Sequence, residues 1–228
     1  AIYVDDLGLW VAPAAVGLCG LVGLFNGWMC ARLRVPSFLA TLAVAVLVEG
    51  VLLNLSRGFL YLVSDPAFRA LAVRFVGGLP MVFYWAWGIW AIAVVVARYT
   101  AFGRRLYALG GNPLAARLCG IDVDKDRMRA FMISGLLAGV AGVLYMAQFG
   151  GGSIEMGAEM MVPVFASVVA GGTALSGGMG GPHRTLLGVV VVTWVQAGLS
   201  MLGVARDWQL VVFALVAVAM SLATAERA

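Results

Sequence analysis

Seven long apolar runs dominate this chain, at roughly 7–30, 36–56, 81–98, 128–148, 162–178, 184–203 and 208–225. A helix needs about 20 apolar residues to cross about 30 Å of hydrocarbon, so most of these runs are long enough to span a bilayer. The run at 162–178 is short and is expected to be irregular. Composition separates membrane spans from buried core helices. Of the 228 residues, 63% are hydrophobic and 11% charged, against about half apolar and about a quarter charged in soluble domains. A soluble fold of this size would still need a polar exterior. The bilayer is therefore the expected solvent, with residues 1–228 forming a single transmembrane domain. Lipid leaves helices or a closed barrel, because backbone groups must be satisfied internally. The runs lack period-2 alternation, so the predicted fold is an all-α polytopic bundle of about seven spans.

The basic residues orient this bundle. With the "ARLR" turn (Arg32, Arg34) placed in the cytoplasm, the inside loops also hold Arg98, Arg104, Arg105, Arg117, Lys125, Arg127, Arg129, Arg184 and Arg227. The outside loops hold Arg57, Arg69, Arg74 and Arg206. The excess of basic residues on one side predicts an external N-terminus and a cytoplasmic C-terminus. Trp85, Trp87 and Trp90 in "MVFYWAWGIW" are expected in an aromatic belt near the outer end of the third span. Basic residues sit at the ends of apolar runs and form no stripe, which argues against a nucleic-acid partner. The opening "AIYVDDLGLW" has no basic n-region, so it reads as a loop and not a signal peptide. Gly17, Gly20, Gly23 and Gly27, with Gly135 and Gly139, fall at three- and four-residue intervals that let helices approach closely.

One short segment is punctuated unlike the rest. In "GRRLYALGGNPLAARLCGID", Asn112 suits an N-cap, Pro113 the first helical position, and Gly120 the left-handed residue after a helix. Leu114, Ala115 and Leu118 can share one side while Arg117 takes another. So short a helix is marginal alone in water and must lean on something. Spacing leaves open whether it is a surface helix packed on the bundle or a docking helix for a cytoplasmic partner.

Here "YALGGNPLAARLCGI" resembles the cytoplasmic coupling segment of permeases from ribose- and xylose-type ABC importers. "GLFNGWMCARLRVPSFLATL" (23–42), "SDPAFRAL" (64–71), "VVAGGTALSGGMGG" (168–181) and "QAGLSMLGV" (196–204) resemble the same family in order and spacing. The resemblance implies a permease that forms its pore in pairs and binds a cytoplasmic ATPase through this helix. ATP and magnesium would sit on that ATPase, with no cofactor in this chain. The resemblance assigns ATPase coupling to Gly110, Gly111, Asn112, Pro113, Ala115, Ala116, Arg117, Gly120 and Ile121, within a cytoplasmic loop at 103–127. The family also carries upstream spans and a Gly-Asp-Leu-Ser-type motif near its translocation path. Neither occurs here, and the chain is expected to be an N-terminally truncated permease.

The remaining candidates are polar groups in an apolar chain. Glu49 is the only acid well inside a span, where an ionised group costs a few kcal/mol, so it should face water or a partner. It reads either as a paired structural acid or as a proton or substrate contact. Asn26, Thr41, Thr173 and Ser176 are the other candidates for lining a translocation path. "AGGTALSGGMGGP" lacks the Gly-Lys-Ser/Thr ending of a phosphate-binding loop and reads as a broken helix with a tight turn. His183 has no partners at metal-ligand spacing, and no catalytic constellation is evident. In "SDPAFRALAVRF", Asp65 and Pro66 start a helix whose Phe68, Leu71, Ala72 and Phe75 share a face, suited to the membrane surface. Asp65, Arg69, Arg74, Glu155 and Glu159 are candidate contacts for an external solute-binding protein. The expected function is the permease subunit of a bacterial ABC importer for a monosaccharide, multi-pass in the cytoplasmic membrane. An amino-acid permease of the same superfamily, a self-contained secondary transporter and a membrane scaffold stay as alternatives.

Overall fold

The computed structural model describes residues 8–174 and 177–225, with the side chains of residues 155, 159, 206 and 217–225 outside the description. After a 3-10 turn at Gly8–Trp10 come α1 (Val11–Arg32), α2 (Ser37–Ser56), β1 (Tyr61–Leu62), α3 (Pro66–Val73), β2 (Phe75–Val76), β3 (Leu79–Pro80) and α4 (Met81–Tyr99). The chain continues with α5 (Ala101–Gly111), α6 (Pro113–Leu118), α7 (Val123–Phe149), β4 (Gly151–Gly152), α8 (Glu155–Ala170), α9 (Pro182–Met201) and α10 (Arg206–Ala225). Among the described residues, five helices are long and apolar enough to cross a membrane: α1 with its 3-10 turn, α2, α4, α7 and α9. Shorter apolar helices run over Met156–Ala170 and Asp207–Val216.

Two compact units emerge, one from Ala1–Ile89 with Asp122–Gly157 and the other from Trp90–Ile121 with Ala158–Ala228. In the first, α1 and α7 pair antiparallel as its most extensive helix contact. Glycine makes that approach possible. A Cβ on Gly23 would meet the Phe131 carbonyl, and one on Gly135 would meet the Cys19 carbonyl. Gly20, Gly23, Gly27, Gly135 and Gly139 therefore act in helix packing, whereas Gly17 has nothing within 4 Å of its Cβ position. Val63, Phe68, Ala72, Val143 and Ala147 form a buried cluster where α3 rests on α7. β1 pairs antiparallel with β4, Tyr61 opposite Gly152.

In the second unit, Ala166, Val192 and Phe213 form a core between α8, α9 and α10. Gln209 crosses the α9–α10 turn, its Nε2 donating to the Val204 carbonyl at 2.9 Å and Ser200 Oγ at 3.3 Å. Gly188 of α9 lies against the Ser167 carbonyl and the Gly171 backbone, with no room for a Cβ.

The structure corrects four expectations. The run at 162–178 is not one span: α8 starts earlier, at Glu155, and stops at Ala170, where Gly171 and left-handed Gly172 (φ +75°) end it. Glu155 and Glu159, which the spacing of the apolar runs places in an outer loop at 149–161, accordingly belong to a helix. Residues 103–127 are not a loop holding one short helix, because α5 precedes α6 and α7 begins at Val123. Phe75 leaves the apolar face of α3; it lies in β2 and is exposed, whereas Phe68 and Ala72 are buried against protein. The surface-lying helix of the sequence reading is thus packed on the bundle.

Candidate functional site

The segment α5–α6 is built by local capping. Thr100 Oγ1 accepts from the Gly103 amide at 3.1 Å and donates to the Val96 carbonyl at 2.6 Å. The turn from α4 into α5 requires glycine at 103, since a Cβ there would strike the carbonyls of Val96 and Ala97. At the other end of α5, Asn112 turns extended (φ −152°, ψ 102°) while its amide still reaches the Ala108 carbonyl at 3.1 Å. Its Oδ1 then accepts from both the Leu114 and Ala115 amides at 3.0 Å, with Pro113 at the first position of α6. That is the N-cap geometry its sequence predicts.

The C-terminus of α6 is closed as tightly. The Gly120 amide donates to the Arg117 carbonyl at 3.0 Å and the Ile121 amide to the Ala116 carbonyl at 3.1 Å. With Gly120 left-handed (φ +81°), this is a Schellman motif. Ala116 turns inward and is 4% exposed. Leu114 and Leu118, one turn apart on the opposite side, are 70% and 84% exposed. A six-residue helix with two closed ends and two bare leucines holds a fixed apolar surface outward.

Next in the chain, Asp122 caps α7, its Oδ1 accepting from the Lys125 amide at 3.1 Å and its Oδ2 lying 2.9 Å from Lys125 Nζ. The Lys125 side chain, then the backbone amides, hold this carboxyl below the usual carboxylate range.

In the glycine-rich stretch before α9, Gly177, Gly178 and Gly180 lie against α5. A Cβ on Gly110 would come within 2.8 Å of the Gly178 nitrogen, and one on Gly177 within 2.7 Å of the Gly110 carbonyl oxygen. Tyr107 donates its hydroxyl to the Gly180 carbonyl at 3.1 Å. Trp90 Nε1 donates to the carbonyl of Pro182, the first residue of α9, at 3.1 Å. Trp90 is half-buried with its indole N–H committed to this bond, while Trp85 and Trp87 are exposed.

The other sequence candidates scatter. Asn26 Oδ1 of α1 and Thr173 Oγ1, the latter against Gly180, are buried with no hydrogen-bond partner among the described residues. Thr41 donates back to the Ser37 carbonyl of its own helix at 2.9 Å. Glu49 is exposed on α2, with no hydrogen bond or ion pair to another of the described residues. Asn26, Thr41 and Glu49 belong to the first unit and Thr173 to the second. Ser176 lies outside the described residues, as do the side chains of Glu155 and Glu159.

Asp65 caps α3 by accepting from the Ala67 amide at 2.9 Å, and Arg69 and Arg74 line one shallow hollow with Ser64, Pro66, Ala70 and Val73. Sequence reasoning missed α5 and the β2–β3 hairpin. Thr100 was the available signal for the first, and "FVGGLP", with Gly77 and Gly78 both at positive φ, for the second. Among the described residues, His, Cys, Asp and Glu nowhere gather in threes as a metal site would need.

Membrane-length helices with exposed apolar faces, such as Leu42, Val46 and Leu53 on α2 and Leu187 and Trp194 on α9, define a multi-pass membrane protein. The branched-chain amino acid transport system / permease component family matches residues 1–221, and the chain belongs to that family. A probable ABC transporter permease protein, YphD of Escherichia coli (strain K12), is 40% identical over 180 residues, covering 78% of this chain and 54% of the relative. The ribose import permease protein RbsC of the same strain is 34% identical over 213 residues, covering 91% and 66%. The xylose transport system permease protein XylH of Haemophilus influenzae is 27% identical over 263 residues, covering 89% and 70%. The chain thus spans between about half and about 70% of the length of these curated relatives. No solved structure matches it.

Proposed function

We propose that this chain is the membrane-spanning part of a permease subunit in an ATP-driven importer of the bacterial cytoplasmic membrane, and that its solute is a monosaccharide. The observation that carries the reading is α6: a rigidly capped helix presenting Leu114 and Leu118 to the exterior. A cytoplasmic ATPase subunit would cover those leucines, bind ATP and magnesium itself, and move α6 as it hydrolyses. The chain carries no hydrolytic step in this reading. The excess of basic residues puts α5, α6 and the C-terminus on the cytoplasmic side.

Names of relatives support the solute class, since two transport ribose and xylose. A neutral sugar needs hydrogen bonds rather than charge neutralisation, and spans poor in charge but holding Asn26 and Thr41, with Thr173 and Ser176 in the sequence between α8 and α9, suit it. A second permease copy would complete the path, giving the exposed Glu49 face something other than lipid to meet. An external solute-binding protein would deliver the sugar, with Arg69 and Arg74 in their shared hollow, together with Asp65, Glu155 and Glu159, as its contacts.

The family description names branched-chain amino acids, which keeps those solutes as the second reading. The full-length permease, reconstituted with its ATPase and binding protein, is expected to accumulate labelled ribose or xylose only with ATP. Accumulation of labelled leucine instead would move the solute to the second reading. Sugar uptake driven by a proton gradient without ATP would overturn the importer and favour a secondary transporter.

A further inference from the structure

We infer that Tyr107 and Gly110 are positioning residues that carry movement of α6 into the start of α9, through a backbone clasp between α5 and Gly177, Gly178 and Gly180 of the glycine-rich stretch before α9. This rests on the docking role proposed for α6. Gly110 is two residues before the N-cap of α6, in the last turn of the helix that leads into it. The resemblance placed Gly110 and Gly111 among residues meeting the ATPase, yet their backbone faces this chain. Gly110 meets Gly178 and Gly177, and a Cβ on Gly178 would stand 3.0 Å from the Gly111 Cα.

No side chain intervenes in this contact. Contacts between side chains absorb small displacements by changing rotamer, whereas two touching backbones must move together or separate. Gly177 (φ +94°) and Gly178 (φ +78°) adopt conformations that favour glycine, so the loop's path and its close approach are specified together.

The clasp is bolted next to α9. Tyr107, one turn before Gly111, donates to the Gly180 carbonyl, and Gly181 is the N-cap of α9. The same end is held by Trp90 through Pro182, while Gly171 at the start of the stretch lies against the Arg184 carbonyl. A displacement of α6 thus has an unbroken route through α5, Gly110–Gly178 and Tyr107–Gly180 to the first turn of a membrane-length helix.

The measurement is labelled-ribose uptake per ATP hydrolysed by the full-length permease with its ATPase and binding protein, for Tyr107→Phe and Gly110→Ala. Tyr107→Phe removes one hydroxyl and is expected to retain membrane abundance and bound ATPase subunit. Its uptake per ATP should fall about threefold to tenfold, the reach of one hydrogen bond. Gly110→Ala, which forces the backbones apart, should lower the same ratio further. Unchanged uptake per ATP in both variants would overturn the clasp. Loss of the ATPase subunit from Tyr107→Phe would overturn it equally, because Tyr107 would then belong to the docking surface. Failure of the docking role itself reads out separately, as the unmodified permease failing to retain the ATPase subunit.

Discussion

Asn112 and Ala116 show how far single residues in α6 differ in what they do. Asn112 Oδ1 satisfies two amides at once, so Asn112→Ala should cost about 1 kcal/mol of local helix stability. Faster hydrogen exchange at the amides of Leu114 and Ala115, with the rest of the protein unchanged, is the expected result. Ala116 looks from sequence like another small docking position, but it is buried in the chain's own packing. A bulky residue there would deform α6 before any partner arrived. The caps were legible because Asn, Pro and Gly each answer a local backbone need. The burial of Ala116 was not, because a six-residue helix has too few turns for periodicity to fix its inward face.

At the scale of elements, the apolar runs located the long helices to within a few residues, and the glycine spacing identified how α1 and α7 meet. Glycines in the same helix nonetheless differ sharply. Gly135 has the Cys19 carbonyl where its Cβ would be, whereas Gly142 has nothing within 4 Å. Gly135→Val should therefore push α1 from α7 and destabilise the first unit by about 1–3 kcal/mol or more. Gly142→Ala should stabilise α7 by about 0.5–1 kcal/mol through helix propensity. Thermal unfolding in detergent reads both, with opposite signs expected. The break after α8 was legible in the glycines that follow Ala170, whereas hydropathy alone carried the apolar run on to 178 and missed the helix start at Glu155. The fit of α3 onto α7 escaped because Phe68 and Ala72 read equally well as lipid-facing or protein-facing until Val143 and Ala147 are placed beneath them.

For the whole molecule, the account joins a membrane body to a partner on one side, and that side is testable with a native residue. Cys119, just past α6, is exposed, while Cys30 is buried and Cys19 half-buried within α1. A membrane-impermeant maleimide should leave Cys119 unlabelled in intact cells and label it in inverted vesicles, with Cys119→Ser as the control. Labelling in intact cells would reverse the orientation drawn from the basic residues. The central claim, that α6 receives the ATPase, is tested most directly by retention of the ATPase subunit on a permease carrying both Leu114→Ala and Leu118→Ala. Both side chains are exposed in this chain, so the double variant should reach normal abundance and melt normally. A covered leucine contributes about 1.5–3 kcal/mol, so losing two should weaken the complex by well over about tenfold and strip the ATPase during purification. Full retention of the ATPase by the double variant would contradict the account and return α6 to a surface helix without a partner.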